Sequence, residues 1–104
     1  MFVATILYKP GINVEYYLSH HVPRSEELMV PFGVIRSEVR RFAPGPDGAP
    51  PEFEIMSTLY FESAEGFAAC MQAPFMAELH DDVKNFYEGQ PVILVGGVVH
   101  SPTY

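Results

Sequence analysis

"VILVGGVV", Val92–Val99, is the stretch on which the fold turns. Its β-branched residues and its flanking proline read as a strand, within the longer run "PVILVGGVVH" (residues 91–100). The strand is apolar on both of its alternating faces. At a sheet edge such a strand offers unpaired N–H and C=O groups on an apolar ribbon, which invites association unless something covers it. Its place in the sheet therefore bears on whether the chain folds alone.

Working back along the chain, "FVATILY" (Phe2–Tyr8) is a first strand and "KPG" a turn. Asn13 suits a helix N-cap, and Val14, Tyr17, Leu18 and His21 repeat at the spacing of one helical face. Pro23 lacks an N–H, so the helix kinks or restarts there and continues toward Pro31. "VIRSEVRRF" (Val34–Phe42) is a second strand, polar enough for an edge, and "APGPDGAPPE" (Ala43–Glu52) an exposed loop. "FEIMSTLYF" (Phe53–Phe61) is a third strand, with Phe53, Ile55, Leu59 and Phe61 on one face and Ser57 among them. Ser63 caps a second helix that breaks at Pro74, resumes to about Tyr87 and stops at Gly89.

The order is β-α-β-β-α-β. Two split βαβ units predict an α+β, ferredoxin-like sandwich with both helices on one face of a four-stranded antiparallel sheet. Right-handed crossovers put strands one and three in the centre and strands two and four at the edges. Strand one is also apolar on both faces, so the bare sheet face needs cover as well. A second copy packed sheet against sheet, with the edges engaged, meets both needs: a dimeric α+β barrel, that is, a homodimer. The alternative is a monomer with exposed apolar surface.

At 104 residues the chain is one domain, 1–104, without an internal repeat. With 48% hydrophobic and 18% charged residues it is a folded chain, and the net charge of −7 argues against nucleic acid and anionic membranes. Cys70 is the only cysteine, sits in an apolar helical pattern and reads as a core residue in a reducing compartment. "MFVATILYKP" (residues 1–10) lacks a basic start and a small-residue cleavage site, and no apolar run approaches the roughly 20 residues of a membrane span. The expected location is cytoplasmic.

Adjacent histidines at positions 20 and 21 cannot face the same way on a helix, so they do not converge on one metal ion, and no cluster has zinc spacing. His20 is turned toward solvent. His21 shares the apolar face beside the Pro23 kink, where it is either a hydrogen-bonded core histidine or a chemical group. On the second helix Asp82 interrupts the apolar stripe of Phe75, Leu79 and Phe86. A carboxylate there either faces solvent or needs a partner. His21, Tyr8, Tyr17 and Tyr60 are the candidates, while His80 lies off the stripe. His21 and Asp82 on apolar faces among tyrosines suggest a pocket for a small apolar or aromatic molecule. There the carboxylate would fix the histidine tautomer and a tyrosine hydroxyl would hold an oxygen. No phosphate loop, dinucleotide fingerprint or nucleophile elbow is present, so the chemistry is expected to need no organic cofactor.

"YYLSHHVP" (16–23), "PFGVIR" (31–36) and "APFMAELHDDVKNF" (73–86), in that order on this frame, resemble the EthD-like family over nearly the whole chain. The family's His-x-Pro corresponds to His21-Val22-Pro23 and its Asp-x-x-x-Phe to Asp82 through Phe86. The resemblance implies a dimeric α+β barrel. The family's namesake is associated with bacterial breakdown of an alkyl ether, and fungal relatives with tailoring, including decarboxylation, of aromatic polyketides. Arg24 stands where the family usually has an apolar residue, and reads either as a rim charge or as a contact for a substrate carboxylate. Two functions follow as expectations. One is a cofactor-independent enzyme, of oxidoreductase, decarboxylase or cyclase type, acting on an aromatic, polyketide-like or ether-derived metabolite, with His21 and Asp82 catalytic and Tyr8, Tyr17, Tyr60 and Arg24 binding. The other is a non-catalytic dimeric binding protein for a hydrophobic metabolite.

Overall fold

The structure, a computed structural model, describes residues 1–104. Its elements are β1 (Phe2–Tyr8), α1 (Val14–Tyr16), a π-helical turn (Tyr17–His21), α2 (Val22–Met29), a 3-10 turn (Val30–Phe32), β2 (Val34–Arg41), β3 (Ile55–Phe61), α3 (Ala64–Met71), α4 (Met76–Asp82), a 3-10 turn (Val83–Asn85) and β4 (Val92–Gly97). The strands form one antiparallel sheet in the order β2-β3-β1-β4, so β1 and β3 are central as the crossover rule requires. β3 and β4 are shorter than the sequence suggests. Beyond Gly97 only the Val98 N–H still bonds back, to the Met1 carbonyl.

Strand alternation sorts the side chains. Ala4 pairs with Leu59 and Phe2 with Phe61, and all four turn toward the helices. Met29 of α2, Cys70 of α3 and Leu79 of α4 close over them in one buried cluster, so the helices share one face of the sheet. A second cluster, Tyr8, Ile12, Tyr17, Ile55 and Phe86, lies at the other end of β1. The caps are local. Asn13 accepts from the Tyr16 N–H, Ser63 accepts from the Gly66 N–H, and Gly89 takes a positive φ of 96° after the last helical turn. The Pro-rich loop is bridged by short-range bonds from Gly45 to Ala49 and from Gly48 to Gly45.

β4 runs along β1 with Leu94 opposite Thr5 on the bare face and Val95 opposite Ala4 on the helix face. In the single chain these side chains are 58% and 52% exposed, and Ile93 is 57% exposed. The edge strand is thus apolar and uncovered on both sides. No helix is long and apolar enough to cross a membrane.

Candidate active site at the proline-adjacent pi turn

The first helix does not simply bend at Pro23. Between Tyr17 and His21 it widens into a π turn, closed by the Val22 N–H on the Tyr17 carbonyl five residues back. A proline at position 23 cannot donate to the Ser19 carbonyl and crowds it, and a wider turn relieves that contact. The extra residue also rotates the helical face. Tyr17 and His21 are buried, but Leu18, expected on the same face, is turned out. The Ser25 hydroxyl donates to the His21 carbonyl at 2.8 Å, which ties the turn to α2.

His21 is 8% exposed. Its ring lies nearly parallel to Tyr17, with centroids 5.5 Å apart, and tilts onto Phe86 at 4.7 Å. Its Nδ1 is 2.9 Å from Oδ2 of Asp82. The other carboxylate oxygen, Oδ1, accepts from the Tyr16 hydroxyl at 2.7 Å and from the Asn85 amide at 2.9 Å. Burial pushes the Asp82 carboxyl up, but the hydrogen bonds from Asn85, Tyr16 and His21 outweigh it and hold the group below the usual carboxylate range. An ionised carboxylate only accepts, so Nδ1 of His21 carries the proton and, in the neutral ring, Nε2 keeps its lone pair.

His21 lines a cavity of about 130 Å³ between the helices and the sheet. Tyr8, Tyr17 and Ser57 form its polar end, with the Tyr17 and Ser57 hydroxyls hydrogen-bonded to each other. Burial raises the pKa of the Tyr8 phenol, and raises that of Tyr17 although the hydrogen bonds with Ser57 and Tyr8 oppose it, so both remain neutral donors. Ala4, Ile6 and Leu59 form the apolar floor.

Three of the expected positions need correction. Asp82 does not line the cavity. It stands behind His21, 24% exposed, at a shallow outer groove shared with Tyr16 and His20, because the last turn of α4 faces the side of the first helix rather than the sheet. Tyr60 belongs to the opposite sheet face. The alternation that turns Ser57 inward turns Tyr60 outward, where the Arg36 guanidinium lies 4.9 Å from its ring. Arg24 also lies outside the cavity, held at the outer groove by a two-pronged contact with Glu78 at 2.7 and 3.1 Å and a bond to Glu27. Its attraction for Glu78 leaves no free fork for a carboxylate.

Of the other singled-out residues, His20 is exposed and stacks on Tyr16 at 4.7 Å. His80 is exposed at the cavity rim, and Cys70 is buried in the core. Three members of the site, Tyr16, Ser57 and Asn85, were not anticipated. Asn85 lies one helical turn after Asp82, and that spacing could have flagged it. Nothing in the sequence pairs Tyr16 with a residue 66 positions away.

Known proteins resemble this chain in sequence and in fold. The sequence pattern of the EthD domain matches residues 14–90, which takes in the π turn, Asp82 and Asn85. An uncharacterized 11.0 kDa protein from the thcB-thcC intergenic region of Rhodococcus erythropolis is 31% identical over 102 residues, covering 90% of this chain and 91% of its own. The crystal structure of an EthD-like protein from Ralstonia eutropha superposes with a TM-score of 0.85 at 25% identity, covering 98% of this chain and 95% of that one. SnoaB, a cofactor-independent oxygenase from Streptomyces nogalater, shares the fold with a TM-score of 0.65 at 11% identity over 96% of this chain and 92% of its own. With its domain pattern spanning both helices and the strands between them, the chain belongs to the EthD family.

Proposed function

We propose that this protein is a homodimeric enzyme that performs acid–base chemistry on a small aromatic, polyketide-like or ether-derived compound without an organic cofactor. The observation that carries the proposal is the division of labour around His21. Nδ1 is occupied by an ionised carboxylate on the outer side, and the ring borders an apolar cavity on the inner side. Such a histidine can take a proton at Nε2 from a phenol or from a carbon next to a carbonyl. The imidazolium that results lies against Asp82, which stabilises it. The Tyr8, Tyr17 or Ser57 hydroxyl donates to the substrate oxygen on which negative charge develops. A cavity of roughly 150 Å³ holds benzene, so this one is of the size for a single ring, with the rest of a larger substrate left outside. SnoaB illustrates that the same frame can host chemistry described as cofactor-independent. The homodimer is supported by Ile93, Leu94 and Val95, whose exposure on both faces of the edge strand is what a second copy would remove.

The test is deuterium exchange into a panel of aryl ketones, followed by NMR, with wild type and His21→Gln. The glutamine should lower exchange by roughly 10²–10⁴-fold, the usual contribution of a positioned general base, while ligand affinity is kept. Wild-type exchange no faster than buffer, alongside measurable binding, would instead favour a non-catalytic binding protein built on the same pocket.

A further inference from the structure

The charges around the cavity are one-sided. No lysine or arginine lines it, and the carboxylate-bearing residues along its walls are Glu26 and Glu38. The Glu38 carboxylate is turned to the opposite sheet face, where it pairs with Arg36 at 3.2 Å and Arg40 at 2.7 Å. Glu26 has no cationic partner. Its carboxylate accepts only from the Ser37 hydroxyl across the gap between α2 and β2. Arg24, two residues earlier on the same helix, is turned to the outer groove and satisfied there by Glu78 and Glu27. The donors at the other end of the cavity are neutral hydroxyls, which suit a phenol or ketone oxygen but do not repay the desolvation of an anion.

We infer that the cavity selects uncharged rings and rejects carboxylates, and that Glu26 is the residue that sets this selectivity. The inference rests on reading the cavity as a substrate site and narrows the substrate class to neutral phenols and ketones. A carboxylate brought in beside Glu26 meets a like charge in a partly desolvated space, with no lysine or arginine to offset it. A neutral ring meets only the apolar floor and the hydroxyl pair. Acidic compounds would then be handled only after their carboxyl group had been removed or masked by a preceding reaction.

The experiment compares phenol and benzoate, single-ring compounds that are neutral and anionic respectively at pH 7.5, by calorimetry and by chemical-shift mapping on the full-length protein. Phenol should bind at least about tenfold more tightly than benzoate, as expected for a like charge within several ångströms at intermediate dielectric. Glu26→Gln, which keeps an acceptor for Ser37, should leave phenol affinity unchanged and bring benzoate to within about threefold of it. Equal affinities in the wild type, with His21 signals moving for both, would overturn the selectivity while leaving the substrate site in place. An unchanged ratio in Glu26→Gln, with phenol still bound, would overturn the role of Glu26. Failure of phenol to bind or to shift His21 would overturn both the selectivity and the substrate site.

Discussion

Replacing Asp82 by leucine should destabilise the protein, although it fills an apolar stripe with an apolar residue. The Asp82 carboxylate accepts three hydrogen bonds, two on Oδ1 and one on Oδ2. When it is removed, Tyr16 and Asn85 regain water at the outer groove, where Asp82 itself is 24% exposed. His21, at 8% exposure, does not regain it. The loss is therefore about one charge-assisted bond and one stranded buried donor, roughly 2–4 kcal/mol, which the added leucine methyl groups offset by about 1 kcal/mol. The net is about 2 kcal/mol, or a fall in Tm of roughly 10 °C for a domain of this size. Asp82→Asn retains an acceptor and should cost about half as much. Urea melts at pH 7, at one fixed protein concentration because association would shift the midpoint, read the difference. A double-mutant cycle with His21→Ala should give about 1–2 kcal/mol of coupling. Asp82 is held below its ordinary range, so its stabilisation is present above the unfolded value and lost as pH falls through the depressed folded one. The gap between wild type and Asp82→Leu should thus narrow below about pH 4. A neutral or stabilising Asp82→Leu, with an additive cycle, would refute the reasoning and remove the support for His21 as an oriented base.

Other expectations are simpler. Light scattering at micromolar concentration should show a dimer, and Leu94→Lys and Val95→Lys, which test the bare and helix-side faces of β4 separately, should weaken it; a wild-type monomer would end the barrel proposal. Deleting Gly45–Pro50 should change stability by less than about 1 kcal/mol, because the loop bonds mainly to itself and closure entropy varies slowly with length; an unfolded deletion variant would show that the loop is packed. Gly66→Ala should destabilise, against the usual gain of about 1 kcal/mol for alanine in a helix, since the new Cβ would lie 2.5 Å from the Phe32 carbonyl; a raised Tm would show that the 3-10 turn yields easily.

The element order, the central and edge strands, the Asn13 and Ser63 caps and the two-faced apolarity of β4 were all legible in the chain. Each follows from period-two alternation, helical spacing, turn chemistry or chain connectivity, which are properties of neighbouring residues. The same spacing singled out His21 and Asp82 as the polar exceptions on two apolar stripes. Regular periodicity could not anticipate the π turn, whose extra residue turns Leu18 out while Tyr17 and His21 stay in. It also could not say which side of His21 the carboxylate would take. That depends on how α4 crosses the first helix, and the crossing also decides that Arg24 meets Glu78 and that Tyr16 reaches Asp82. Tyr60 is the exception, since the alternation already visible in "IMSTLYF" (Ile55–Phe61) places it opposite Ser57. A sequence determines which face a residue lies on as long as its element stays regular. The partner it finds there is set by the packing of elements some 60 residues apart along the chain, as with His21 and Asp82, and only the tertiary structure decides that.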